Sequence, residues 1–287
     1  MLRILRDTNT TLRVPWLVDG TATTGQTITV AVNDLDGVSV ASGSATEDGT
    51  TGFYEFTLNV ADVPDVALLD VVWTNGTQSI TRRVEVVGGW LFTEPQARAF
   101  DANTMTSSTD YPDDDILAER DRITDIIENL TGRSWVPRYR RYTFRGSASR
   151  ELWIGDAVYS EGGSTGGGAS TDIQKVLVVT ANGSTVATSN IKLDRRLGVF
   201  YRTDTTWPSP SVTDPYNITV DVEYGLPEVT EGVDWVALWL LRDRLVPSDI
   251  PDRAKSWTDE FGNIALDTMP TVARDWIRSH NYRIGIA

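Results

Sequence analysis

Two helices in this chain are brought to a halt in the same way, and those halts restrict the fold more than any other feature of the sequence. One amphipathic segment runs into Thr131-Gly132-Arg133-Ser134-Trp135-Val136-Pro137-Arg138. A later one runs into Leu241-Arg242-Asp243-Arg244-Leu245-Val246-Pro247-Ser248-Asp249-Ile250-Pro251-Asp252-Arg253. Glycine accepts the left-handed backbone of a C-terminal cap, and proline lacks the amide that the next turn requires. Both exits are rich in arginine, and the first also carries tryptophan.

The spacing upstream predicts the helices themselves. Ile116, Ile123, Ile127 and Leu130 form one apolar stripe on a helix over about 112–131. Asp110 or a neighbour caps it, Pro112 lies near its first turn, and Asp113, Asp114 and Asp115 sit where the positive end of the helix dipole favours carboxylates. A second helix is expected over about 230–246. There Val233, Val236, Ala237, Leu240 and Leu241 recur at helical offsets, and Trp235, Leu238 and Trp239 widen the apolar face beyond what a singly buried helix needs. That width implies burial on more than one side. A short helix over about 93–100 follows from Thr93-Glu94-Pro95-Gln96, which has the capping-box pattern with proline just inside.

Elsewhere the period is two. Thr27–Val32 and Phe53–Leu58 alternate, Asp34-Leu35-Asp36-Gly37 turns, and Val71–Thr74 leads through Asn75-Gly76 into Ser79–Val86. These short strands predict an immunoglobulin-like β-sandwich over residues 1–89, an acidic and self-contained module with five basic and eleven acidic residues, closed by Gly88-Gly89. Between about 136 and 226 a β-rich insertion is expected. Its strands are Arg140–Phe144, Glu151–Ile154, Val176–Thr180, Ile191–Leu193, Val199–Tyr201 and Ile218–Tyr224, with a hairpin turn at Asn182-Gly183 and a mobile Gly/Ser tip over 161–171. The fold class is therefore α+β and multidomain, with residues 90–287 as the second domain and a basic, aromatic tail over about 263–287.

Composition closes off several functions. Hydrophobic content of 40% with 23% charged residues belongs to a folded protein rather than a disordered one. A net charge of -14 gives the long-range field the wrong sign for non-specific attraction to nucleic acid or anionic lipid, though a passage that DNA slides through would tolerate it. There is no cysteine, and His280 is the sole histidine, so neither a Ser-His-Asp triad nor a multi-histidine zinc site can be assembled from one chain. The first residues turn polar before a signal-peptide core can form, and no run is long and apolar enough to span a bilayer. The Asn-x-Ser/Thr triplets at Asn75, Asn182 and Asn217 consequently carry little weight.

Four patterns invite a chemical reading and resist it. Asp113–Asp115 resembles a metal or acid–base cluster, but a helix start explains it better. Asp243 with Asp249, or Glu223 with Glu228, mimics a glycosidase pair of the kind that forty carboxylates supply by chance. The glycines at 162–168 are followed by Ala169-Ser170-Thr171-Asp172 and lack the lysine of a phosphate loop. Arg133, Arg138, Arg140, Arg141 and Arg145, interleaved with Trp135, Tyr139 and Tyr142, have the look of a single-strand binding run. The overall acidity instead predicts arginines paired with carboxylates inside the domain or across a subunit contact. No catalytic residue, cofactor or metal is expected, and the chain is read as a non-enzyme.

Ten tryptophans remain to be placed. Trp73 and Trp153, in strand-like segments, are expected in the core. Trp135, Trp239, Trp257 and Trp276 fall at a helix exit, on the overly wide face, or in the C-terminal segment, and are the candidate interface anchors.

The second half, from about Trp90 to Ala287, resembles the head-to-tail adaptor (connector) proteins of long-tailed bacteriophages. The likeness rests on the acidic-start helix running into Thr131-Gly132-Arg133-Ser134-Trp135 and Pro137-Arg138, the β insertion, and Val222-Glu223-Tyr224-Gly225 leading to the helix that ends at Arg242 to Arg253. Thr258-Asp259-Glu260-Phe261-Gly262 follows. The resemblance implies a structural ring subunit, commonly one of a dodecamer, made in the bacterial cytoplasm and placed in the virion neck. It would contact the portal protein on one side and a neck or tail-completion protein on the other, with duplex DNA passing through unread. It also implies oligomer or portal contacts at Arg138, Asp249, Arg253, Phe261 and Tyr282, beside the tryptophans named above. The N-terminal β-module departs from a minimal adaptor and would decorate the ring from outside. A rival reading from another class is a tail or surface protein whose β-modules bind host carbohydrate or a receptor, which exposed tryptophans on those modules would favour.

Overall fold

A computed structural model describes residues 1–157, 159–161, 172–210, 215–229, 232–246 and 270–280. The protein is α+β, mostly strands in several sheets with few helices. It divides into two compact units, the first made of Met1–Gly88 with Arg138–Arg141, the second of Gly89–Pro137 with Tyr142–Ala287.

The first unit holds ten strands: β1 (Leu2–Leu5), β2 (Thr10–Pro15), β3 (Leu17–Val18), β4 (Thr21–Ala22), β5 (Thr29–Asn33), β6 (Ser39–Ser44), β7 (Thr46–Glu47), β8 (Phe53–Leu58), β9 (Ala67–Thr74) and β10 (Ser79–Val87). One sheet has the order β1-β10-β9-β5-β6 and another β2-β8-β7, with β3-β4 as a small hairpin. β1 runs parallel to β10, with Leu2 opposite Val84. Alternation buries Val30, Val32, Val71, Trp73, Val84 and Val86 from the larger sheet, where they meet Leu12, Val14, Tyr54 and Leu58 from the smaller one. This is the sandwich that the two-residue period predicts. Its turns follow their chemistry: the Asp34 carboxylate accepts the amides of Asp36 and Val38, while Gly37 takes φ 78°. The self-contained module expected over 1–89 is extended by Arg138–Arg141, for a reason given below.

The second unit contains α1 (Glu94–Ala99), α2 (Asp113–Thr131), β11 (Arg138–Phe144), β12 (Glu151–Trp153), β13 (Tyr159–Glu161), β14 (Ile173–Ala181), β15 (Ser184–Thr185), β16 (Ile191–Asp194), β17 (Val199–Arg202), β18 (Ile218–Tyr224), α3 (Val233–Leu245) and α4 (Thr271–Ser279), the first four residues of β11 being counted with the first unit. Thr93 caps α1 with a complete capping box, its own amide donating to Gln96 Oε1 at 2.7 Å. The start of α2 differs from expectation: Pro112 is the N-cap, no side chain caps the helix, and Asp110 lies outside it. Three consecutive carboxylates in the first turn offset that missing cap through the helix dipole.

The predicted stripe is the buried one. Ile116, Ile123 and Ile127 enter a core shared with Val236, Ala237, Leu240 and Leu241 of α3 and with Ala273 and Ile277 of α4. The strands form two sheets, β13-β11-β18-β14-β15 and β12-β17-β16. Their core joins Phe144, Val179, Val220 and Val222 with Leu152 and Phe200. Asn182 and Gly183 both take positive φ in the β14–β15 hairpin, as their turn type requires. The Gly/Ser tip over 162–171 and the proline-rich turn after Val246 lie outside the described residues.

Candidate functional site

The exit of α2 is a built junction. Gly132 takes φ 71° and its amide returns to Glu128 O at 2.8 Å, closing the helix as the glycine predicts. Glu128 is buried, and Ser134 Oγ lies 2.7 Å from both its Oε1 and the Val136 carbonyl. Trp135 follows, and its indole N–H donates to Thr131 Oγ1 at 3.0 Å, while the Thr131 hydroxyl donates to Ile127 O. Gly225, just after β18, has φ 106°, and a Cβ there would fall 2.2 Å from Val136 O. The junction thus requires glycine at two places, once for a left-handed cap and once for a close backbone approach.

Trp135 is 0% exposed, so it is not an anchor set out on a surface. Its ring meets Trp276 of α4 at 5.1 Å, and the chain's only histidine, His280, stacks on Trp276 at 4.2 Å. This corrects the reading of Trp135 as an interface residue, and part of the segment expected to be a tail is the helix α4. Ala273, Trp276, Ile277 and His280 lie three or four residues apart, a short helical stripe that packs on the same chain. Trp153 departs in the other direction: expected in the core, it is 43% exposed on β12, because a three-residue strand at the edge of its sheet has only one covered face.

Arg138 is also interior. Its Nε and Nη2 each lie 2.6 Å from an oxygen of Glu85, which is 0% exposed and also receives Arg3 Nε at 3.2 Å. A buried glutamate held by a two-pronged guanidinium explains why this stretch of β11 is counted with the first unit. It also removes Arg138 from the interface candidates. The wider expectation for the arginine run holds at three positions: besides Arg138, Arg133 pairs with Asp172 at 3.0 Å, and Arg141 engages both oxygens of Asp36.

The wide face of α3 is only partly covered. Val236, Ala237, Leu240 and Leu241 are inside, whereas Trp235 is 46% exposed. Trp239 is half-buried, meeting Phe100 edge-on at 5.4 Å and Trp235 at 6.0 Å, with Arg242 over its ring. Further along α3, Arg242 pairs with Asp101, and Arg244 grips both oxygens of Glu119 on α2 at 3.0 and 3.2 Å. Of the remaining candidates, Asp249, Arg253, Trp257, Phe261 and Tyr282 lie outside the described residues.

A cleft of about 1020 Å³ opens between β14 and the β16–β17 hairpin. Lys175, Lys192, Arg195, Tyr201, Thr188 and Ser189 line it, and Arg195 Nη2 donates to the Gln174 carbonyl at 2.6 Å. The sequence reading missed it. The available signal was the scarcity of lysine, since Lys175, Lys192 and Lys255 are the only three in the chain.

Two carboxyls are held below their ordinary value of 3.8, Asp70 by a hydrogen bond from Arg83 and Asp204 by one from Arg202. Arg98 is pushed upward by Asp113 and then Glu94, so Asp113 serves as an ion-pair partner. Among the described residues no group of three His, Asp or Glu side chains is placed to hold a metal ion, and no helix is long and apolar enough to cross a membrane. The sequence matches no protein-family model and no curated protein.

Proposed function

We propose that this chain is a head-to-tail adaptor of a long-tailed bacteriophage, a non-enzymatic ring subunit lying between portal and tail components in the virion neck. The observation that carries the proposal is the partly covered aromatic face of α3, where exposed Trp235 adjoins half-buried Trp239 on a helix whose opposite side is packed into the core. Indole surface left to water on a rigid helix suits an interface anchor, and identical subunits around a channel supply an identical neighbour. The acidic balance suits a wall past which duplex DNA moves without adhering. In this reading the helices form the ring body and the N-terminal sandwich decorates it. Electron microscopy of purified virions tests the placement: a ring of this chain beneath the portal is expected, and its presence at the tail tip or its absence from particles rejects the proposal.

A second reading has one observation of its own. Trp153 borders a shallow hollow of about 570 Å³ with Asp156 and Leu197, an exposed indole beside a carboxylate of the kind that stacks on sugar rings. A glycan array with the whole chain and with Trp153→Ala separates the two. Binding that the substitution abolishes favours a carbohydrate-recognising surface protein.

A further inference from the structure

The backbone between α1 and α2 bends against its own preference. Asp101, Ala102 and Asn103 take φ of 48°, 56° and 62°, and among the described residues no other three non-glycine residues in a row have positive φ. Aspartate and asparagine tolerate a single left-handed position, but alanine has no polar side chain to offset the crowding of its Cβ, and runs of such residues are avoided. A turn of this kind persists only where its surroundings hold it. Here they do. Arg98 of α1 donates to the carbonyls of Met105 at 3.0 Å, Thr106 at 3.4 Å and Tyr111 at 3.3 Å. Met105 is buried in the helical core, and Asp101 is paired with Arg242 of α3.

What the turn holds in place is Phe100. Its ring meets Trp239 edge-on at 5.4 Å, and the Arg242 guanidinium lies over the Trp239 ring, also at 5.4 Å. Beneath these contacts the Trp239 indole N–H is shut off from solvent and has no hydrogen-bond acceptor among the described residues. A buried donor left unmade is a second local cost, independent of the backbone. Trp235, the next ring on the same helix, is exposed. We propose that residues 100–103 are a latch that closes over Trp239 and opens as a local step, with the Asp101–Arg242 ion pair as its catch. Closed, it shields one of two adjoining indoles. Open, it relaxes the left-handed turn, lets the Trp239 N–H meet water and adds Trp239 to the exposed face of α3. Both partners of the catch are partly exposed, so salt, or a competing carboxylate on Arg242, loosens it. The latch belongs to the single chain and stands or falls separately from the ring reading.

Hydrogen exchange of the full chain, with hydroxyl-radical labelling of its tryptophans, tests it. The Thr104 and Thr106 amides, bonded to the carbonyls of Asp101 and Asn103, report the latch, and the amides of α2 report the unit as a whole. Raising the salt concentration should speed exchange at 104 and 106 by about threefold in the unaltered chain. Asp101→Asn keeps the tolerance for positive φ but drops the charge, so it should speed exchange by about threefold and remove the salt response. Ala102→Gly accepts positive φ without a Cβ and should slow exchange by about fivefold. In each case α2 should be unmoved, and labelling of Trp239 relative to Trp235 should rise where exchange speeds and fall where it slows. Rates at 104 and 106 that ignore all three changes, or that move only in step with α2, overturn the latch, as does faster exchange in Ala102→Gly. Faster exchange without a rise in Trp239 labelling shows a turn that opens without uncovering the ring, and likewise overturns it. The salt titration needs no substitution, so a variant that fails to fold leaves the test intact.

Discussion

Glu85 offers the sharpest test of how this chain stores stability. It is fully buried, both of its oxygens lie 2.6 Å from Arg138 nitrogens, and Arg3 adds a third contact at 3.2 Å. Removing one partner of a buried ion pair costs about 3–5 kcal/mol, because the remaining charge keeps its desolvation penalty and loses its compensation. Arg138→Ala leaves Arg3 on the glutamate and should fall near the lower end, about 3 kcal/mol, whereas Glu85→Ala deprives both arginines and should approach about 5 kcal/mol. For a unit of this size each kcal/mol moves the thermal midpoint by about 4–8 °C, so Arg138→Ala alone should lower it by about 12–24 °C. Scanning calorimetry of the full chain reads that transition. A double-mutant cycle between positions 85 and 138 should give a coupling of about 2–3 kcal/mol. Replacing Arg3, Glu85 and Arg138 together by methionine should restore most of the loss, since it removes the charges along with their partners. Single substitutions costing less than about 1 kcal/mol, the range of exposed pairs, with no coupling in the cycle, would refute the reasoning.

Three further outcomes are expected. Gly225→Ala should cost more than about 3 kcal/mol in urea unfolding, because it places a side chain 2.2 Å from Val136 O at φ 106°; a loss below 1 kcal/mol would mean the backbone can move aside. Trp135→Ala should destabilise the second unit by about 3–5 kcal/mol, and Trp135→Phe by only about 1–2 kcal/mol through the lost bond to Thr131; equal losses would show that the hydrogen bond, not the packing, dominates. Asp70 has a depressed carboxyl, so its contribution is present above its ordinary value of 3.8 and disappears as pH falls below it. Asp70→Asn should therefore flatten the stability–pH curve slightly at the acid end and leave its slope near neutrality unchanged, with an effect below about 1 kcal/mol because the pair is partly exposed.

Much of the local structure was legible. The isoleucine stripe of α2, the capping box of α1, the Gly132 exit and the two-residue period of the sandwich each rest on contacts within a few residues, and such contacts are written in spacing. The stripe of α4 was legible by the same rule but overlooked, since four apolar or aromatic positions in a short polar segment resemble a tail until a core is there to receive them. The candidate residues fared differently. A tryptophan at a helix exit reads equally as an anchor or as core. For Trp135 the choice fell to core because α4 closes over it, while the edge position of β12 left Trp153 in water. The partner of Arg138 could not be picked from forty carboxylates, because Glu85 lies on a strand of another segment of the chain.

By itself, then, the sequence determined where the chain turns helical or extended, where each helix stops, and which chemistries one histidine and no cysteine rule out. Only the tertiary structure decided which arginines face which carboxylates, which indoles stay wet, and that Lys175 and Lys192 share a cleft. The physical reason is one of range: periodicity and capping act over a turn or a strand pair, whereas burial and charge pairing depend on which distant segments the core brings together.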